Sequence, residues 1–227
     1  MRKCIVRHRG EERMTASFRR APDFDRRTDM IEATLDCIAD LGIQATTVRA
    51  VAARAGVSNG LIRHHFASKA NLIAAAYQRM IEMMTLPALS VLESDGGTPH
   101  DRLTRFIAAS LGGAVADPRM LSLWATFVSQ VHLDPDLEHE HREGYLAFRR
   151  ATETLIAEVL SAEGREPTPQ SCRNLAIAVN ALIDGLWIEG CLSADEIDET
   201  TQIGIGLSSI GALLGIELPD APPLPRE

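Results

Sequence analysis

Between Thr47 and Leu72 two short apolar stripes flank one glycine, and this arrangement constrains the fold more than any other stretch of the chain. Val48, Val51, Ala52 and Ala55 recur at three- and four-residue spacing, so they share one face of a short helix. That face needs a partner. The partner begins after Gly56, the residue type best able to take the positive φ that reverses direction between closely crossing helices. Val57 anchors the turn, Ser58 is a strong N-cap type, and Leu61, Ile62 and Phe66 carry the second stripe. Ala52 is small where the helices should cross. Two helices joined in this way, at about 90–120°, form a helix-turn-helix. Its exposed residues would be Asn59, Gly60, Arg63 and His64. Asn and Arg offer forked donors and acceptors to base edges, and small residues allow close approach to the major groove.

The flanks complete a domain. From Asp25, the stripe Met30, Ile31, Thr34, Leu35, Ile38 and Leu41 predicts a helix ending at Gly42, with Ile43 packed under the turn and Thr46 or Thr47 capping the next helix. Ser68 should cap a fourth helix starting at Lys69 and carrying Leu72, Ala75, Ala76, Met80, Met83 and Leu86, kinked or broken at Pro87. Lys69 would then combine an ammonium with the amides of a helix N-terminus, a ready clamp for phosphate.

Net charge is −8, which on its face argues against a nucleic-acid partner. Residues 1–70, however, hold 13 Lys and Arg against 8 Asp and Glu, while the remaining 157 hold 10 against 23. The expectation is therefore a basic helix-turn-helix region on an acidic remainder that keeps the protein soluble.

The run VAARAGVSNGLIRHHFASKANL resembles the DNA-binding signature of the TetR family of transcriptional regulators, in which a Val-Ser-x-Gly-x-Ile turn leads to an aromatic pair with Phe, then Lys and Leu. The likeness covers residues 26 to about 72. Two positions depart from it: His64-His65 stands where the family usually has Tyr-Tyr or Tyr-His, and Asn71 where it usually has an acid. The resemblance implies a phosphate contact near Thr47. The candidate DNA-facing set is Thr47, Ser58, Asn59, Gly60, Leu61, Arg63, His64 and Lys69. A histidine at position 64 can donate to phosphate in place of the family's tyrosine hydroxyl.

The remainder reads as helices at about 101–116, 118–131, 135–163, 168–191 and 195–214, broken at Asp117-Pro118, Asp134-Pro135, Gly164 and the Pro167/Pro169 segment, with no alternating strand-length run. The fold expected is all-α: a basic disordered arm at 1–24, a three-helix DNA-binding domain at 25–72 with its helix-turn-helix at 47–66, a ligand-sensing and dimerisation domain at 73–216, and a Pro-rich tail at 217–227.

Trp124, Phe127, Tyr145 and Trp187 lie on these later helices, and Asp184 sits three residues before Trp187 in the very apolar segment ALIDGLWIEG. A lone carboxylate there is costly without a partner. ALIDGLWIEGCLS, with the WATF stretch around Trp124, is similar to the C-terminal domain of the BetI-type branch of the same family. Trp124, Phe127 and Trp187, with Tyr145 as a fourth wall, are expected to converge into an aromatic cage that holds a quaternary ammonium by cation–π attraction, with Asp184 as counter-ion. The resemblance implies a small-molecule effector such as choline or a related trimethylammonium compound. It also implies a homodimer built on the last two long helices, where Gly204, Gly206, Ser208, Gly211 and Gly215 would permit close approach. The dimer would read a pseudo-palindromic operator in double-stranded DNA.

Other chemistries find little footing. His139 and His141 tempt a metal reading, but two residues of separation put them about 200° apart on a helix, so the stretch HLDPDLEHEHREGY is expected to be a charged, solvated face. Neither a phosphate-binding loop nor a nucleophile with its base is present, so no enzyme, metal or cofactor is expected. Cys4, Cys37, Cys172 and Cys191 are widely spaced, reading as reduced thiols in the cytoplasm, with Cys37 in the core. No signal peptide or membrane association is expected, and the apolar run 203–216 is short for a bilayer. The competing class is an all-α protein-interaction dimer that never touches DNA.

Overall fold

The computed structural model describes residues 23–93, 96–113, 117–193 and 195–221, and among them nine α-helices and no strand. Residues 1–22 of the expected arm and most of the tail at 217–227 lie outside the described residues, while 23 and 24 belong to the first helix. The first helix, α1 (Asp23–Leu41), starts two residues before Asp25. With α2 (Val48–Ala55) and α3 (Asn59–Phe66) it encloses a small core in which Met30, Ile31, Cys37, Val51, Ala52, Ile62 and Phe66 are buried. Burying a side chain such as Ile62 contributes about 1.5–3 kcal/mol, and truncating it to alanine would cost about 2–5 kcal/mol.

Local chemistry sets the boundaries. Thr46 is buried and its hydroxyl donates to the Gly42 carbonyl at 2.9 Å, so the capping role falls to Thr47, whose Oγ1 accepts from the Ala50 amide at 3.1 Å. Gly56 closes α2 at φ 65°, its amide donating to the Ala52 carbonyl. Ser58 Oγ accepts from the Leu61 amide at 3.1 Å and opens α3.

One joint was not legible in the sequence. Ala67, between α3 and α4 (Lys69–Leu89), adopts φ 61° and ψ −46°, and the Ser68 amide donates to the Phe66 carbonyl at 2.7 Å. That is a γ-turn of the strained hand, in a residue with a Cβ. Ser68 at once caps α4 by accepting from the Asn71 amide at 3.1 Å, so only one residue separates the end of α3 from a capped helix start.

α4 runs through Pro87 to Leu89 and gives way to a 3₁₀ turn at Ser90–Glu93. The helix is therefore not broken at Pro87, and Leu86, expected in the apolar stripe, is 50% exposed. The remaining helices are α5 (Pro99–Leu111), α6 (Pro118–Val131), α7 (Pro135–Ala162), α8 (Pro169–Leu192) and α9 (Glu199–Leu214). α5 begins earlier and ends earlier than expected, and α9 begins at Glu199 because Asp198, not a residue near 195, caps it by accepting from the Thr201 amide at 2.7 Å. α5 to α8 each open with proline in the first turn after a Thr or Asp cap: Thr98, Asp117, Asp134 and Thr168. Proline costs nothing there, since its missing N–H would have had no helical partner.

The larger core joins α1 and α4 to α9. α8 is long and apolar enough, by length and composition, to cross a membrane, but its Ala176, Val179, Ile183 and Trp187 face this core. On its outer side Ile177 and Leu192 are exposed, as are Ile205 and Leu213 of α9. The glycines divide. Gly204 is exposed, whereas Gly206 is buried inside the chain, where an added Cβ would lie 2.6 Å from Leu111, and Gly215 is the left-handed cap of α9.

α1 is the mechanical neighbour of everything around it. Arg54 of α2 pairs with Asp40 at 2.5 Å, Arg79 of α4 with Glu32 at 2.8 Å, and Arg119 of α6 with Asp36.

Candidate functional site

Two surfaces carry chemistry. On the first, Asn59, Gly60, Arg63 and His64 of α3 are exposed as expected, Ser58 is exposed, and Leu61 is half-buried. Ser58 and Thr47 accept backbone amides through their side-chain oxygens, which leaves each hydroxyl proton available to an outside acceptor. The side chains of Asn59 and Arg63 make no hydrogen bond or ion pair among the described residues. Lys69 is half-buried as the first residue of α4. No Asp or Glu occurs from Leu41 to Ile81, so α2, α3 and the start of α4 carry arginine, lysine and histidine and no carboxylate of their own.

The charge expectation needs correction. Residues 23–70 hold six Lys and Arg and six Asp and Glu, and all six acids are on α1. The excess counted over residues 1–70 lies in residues 1–22, outside the described residues. Asp36 and Asp40 are engaged by Arg119 and Arg54, and Glu32 by Arg79. Arg54 is thereby directed at α1 and not at the exposed face of α3.

The second surface is a cavity of about 110 Å³ in the larger core. One water needs about 10–15 Å³ in that measure, so a compact organic molecule fits and a drug-sized one does not. α4 contributes Tyr77, Ile81, Met84 and Thr85 to its wall, α5 Ser110 and α6 Trp124. α7 adds His141, Tyr145 and Phe148, and α8 adds Ile183, Asp184 and Trp187. Trp124 and Trp187 meet edge to face, their rings 5.6 Å apart at 82°. Tyr145 is 37% exposed.

Four of the five aromatic and acidic residues expected at an effector site therefore converge. Phe127 does not: it is fully buried behind the wall, stacked on Tyr77 at 4.6 Å. His141 corrects the solvated-face reading of its segment, because it is half-buried and lines the cavity, with Nδ1 2.8 Å from Tyr77 Oη. Tyr77 and His141 are the residues that sequence reading missed. The available signal was an aromatic residue next to Ala76 on the α4 stripe, 64 residues away from its partner.

Among the described residues Asp184 is the only carboxylate on the wall, and burial pushes its pKa up to about 6. It makes no hydrogen bond or ion pair among the described residues. Burial likewise raises the Tyr77 phenol to about 12 and lowers His141, the latter aided by nearby His132. An unpartnered carboxylate among aromatic faces is a site for a cation, held by charge and by ring quadrupoles together. Among the described residues no His, Cys, Asp and Glu cluster is arranged to hold a metal ion.

Comparison with known proteins matches both regions. The profile described as "Bacterial regulatory proteins, tetR family" matches residues 30–76, and that described as "BetI-type transcriptional repressor, C-terminal" matches residues 99–215. The HTH-type transcriptional regulator BetI of Burkholderia lata is 30% identical over 189 residues, 83% of this chain and 94% of that one. Among solved structures, a transcriptional regulator of Pseudomonas aeruginosa superposes with a TM-score of 0.79 at 28% identity, over 88% of this chain and 95% of that one. A regulator from Saccharomonospora viridis, solved in complex with choline, gives a TM-score of 0.67 at 21% identity, over 82% and 96% of the two chains.

Proposed function

Since the chain belongs to the TetR family of ligand-responsive, DNA-binding transcriptional regulators, with a C-terminal half of the BetI type, we propose that a quaternary ammonium compound related to choline occupies the cavity and releases the protein from its operator. The observation that carries this reading is Asp184: a half-buried carboxylate with no partner among the described residues, on the same cavity wall as Trp124 and Trp187. A permanent cation seated there restores the electrostatic partner that burial removed. The choline found in the Saccharomonospora viridis regulator lends support at the level of a shared fold.

The DNA-facing half of the proposal is a homodimer that sets one α3 from each subunit into successive major grooves of a pseudo-palindrome, half-sites centred about 34–36 Å apart. Asn59 and Arg63 read base edges. Thr47, Ser58, His64 and Lys69 hold phosphates, and Gly60 and Leu61 allow close approach to the groove. The exposed apolar residues Ile177, Leu192, Ile205 and Leu213 on α8 and α9 support a second copy as the cover for that side.

Calorimetry with choline and with its uncharged isostere 3,3-dimethylbutan-1-ol tests the cavity. Choline should bind at least tenfold more tightly, and millimolar choline should dissociate the DNA complex in a gel shift; equal affinity for the neutral analogue removes the cation site. Footprinting tests the face. Two-fold symmetric protection is expected, and its absence would defeat the operator geometry.

A further inference from the structure

Tyr77 is 1% exposed, and among the described residues its hydroxyl has a single partner, His141 Nδ1 at 2.8 Å. Two proton arrangements fit that distance. If Nδ1–H donated to Oη, the phenol proton would be left buried without an acceptor, a costly state. If Oη–H donates to Nδ1, both groups are satisfied. Burial holds the phenol protonated and the imidazole neutral, which favours the same arrangement. A neutral imidazole that accepts at Nδ1 carries its proton on Nε2. The ring is also held flat, nearly parallel to Tyr145 at 5.5 Å and 17°, and to Tyr77 at 6.3 Å and 3°.

Two hydroxyls on the wall have the opposite sense. Thr85 and Ser110 donate their hydroxyl protons to carbonyls of their own helices, Ile81 at 2.8 Å and Phe106 at 2.7 Å, and so offer the cavity only lone pairs. Asp184 also only accepts when ionised. His141 Nε2 makes no hydrogen bond among the described residues. Its N–H is a donor whose position is fixed by a buried neighbour that has no other polar work.

Resting on the cation-site reading above, we propose that His141 is a specificity-determining residue whose Nε2–H donates to an oxygen acceptor on the effector, with Tyr77 as the positioning residue that sets its tautomer. The ligand class is then an organic cation that also bears a hydroxyl or carbonyl oxygen, in preference to a bare tetraalkylammonium.

The test is calorimetry on the full chain with choline and tetramethylammonium, for wild type and for His141→Phe, His141→Gln, Tyr77→Phe and Asp184→Asn. One hydrogen bond predicts a preference for choline of about tenfold. In His141→Phe that ratio should fall to about one with tetramethylammonium affinity unchanged, and in His141→Gln, which keeps a donor, it should persist. In ¹⁵N spectra the proton of His141 should sit on Nε2, and Tyr77→Phe should let the two tautomers mix. A ratio untouched by His141→Phe, or a proton on Nδ1 in the wild type, overturns the proposal while leaving the cation site standing. Tetramethylammonium binding that survives Asp184→Asn overturns the cation site instead.

Discussion

The DNA-facing turn and the cavity are built by opposite strategies. The turn lies within residues 47–69, and its backbone geometry is set by caps that reach three residues along the chain: Thr47 to Ala50, Ser58 to Leu61, Ser68 to Asn71. The cavity draws its wall from five helices and from residues as far apart as Tyr77 and Trp187. A surface assembled from local rules tolerates single changes independently, whereas one assembled by packing couples every wall to its neighbours. Separable function should follow for changes that leave α4 in place: a side chain on one surface can then be lost without the other noticing.

The largest expected effect tests that separation. Asp184→Asn should weaken choline binding by roughly 30-fold or more, the cost of removing one partner of a buried charge pair, with operator affinity in the absence of effector unchanged. The same change should stabilise the ligand-free protein at neutral pH. The Asp184 pKa of about 6 lies above its ordinary value, so the folded state holds the proton more tightly than the unfolded chain. Stability of the wild type therefore falls as pH rises through the window from about 4 to 6 and stays lower above it, a trend that Asp184→Asn should remove. Thermal melts at pH 5 and 7.5 would read it. Choline affinity runs the other way, falling as pH drops below about 6 and the carboxylate is neutralised.

Next in size, Asn59→Ala or Arg63→Ala should relax preference at particular base pairs by about 1–3 kcal/mol in competition binding, with choline calorimetry unaltered. Equal losses on operator and random DNA would reassign either residue to the backbone. Lys69→Ala should instead weaken all sequences alike and lower the salt slope by about 1.

Gly144→Ala probes the coupled region. An added Cβ would lie 2.4 Å from Ile81 Cγ2, so the Ile81 side chain must shift or α7 and α4 move apart, at a cost of about 1–3 kcal/mol in denaturant unfolding, and the cavity that Ile81 lines changes shape. Unchanged choline affinity in this variant would break the comparison. The smallest effect belongs to the joint between the regions: Ala67→Gly should relieve a positive φ and stabilise the fold by about 1 kcal/mol.

The same contrast explains what was legible. Gly56, Ser58, Ser68 and the Asp-Pro helix starts announce themselves because the residue type and the backbone requirement coincide at one position, whereas Thr98-Pro99 read as part of a loop. Trp124, Tyr145, Asp184 and Trp187 were found because a carboxylate in an apolar helix is conspicuous on its own. Phe127 was misplaced because helical periodicity says which residues are buried and not which of them line a void. His141 was hidden by its acidic neighbours on the exposed turns of α7, and nothing in sequence spacing pairs it with Tyr77. The basic excess was assigned to the wrong segment because a sum over residues 1–70 cannot see that α1 is acidic.

In the proposed mechanism the Ala67 joint makes α4 a crank. Its cavity-facing part begins about 12 Å from the elbow, eight residues at the α-helical rise, so a 1 Å push at Tyr77 is a rotation of roughly 5° at Lys69. The recognition helix on the other arm is also about 12 Å long, which makes the gearing near one to one. In a two-fold dimer the two cranks turn in opposite senses, so the spacing between recognition helices changes by about twice the push. Hydrogen bonds to bases tolerate only a few tenths of an ångström, so a small molecule needs to displace one helix by very little to lose the operator.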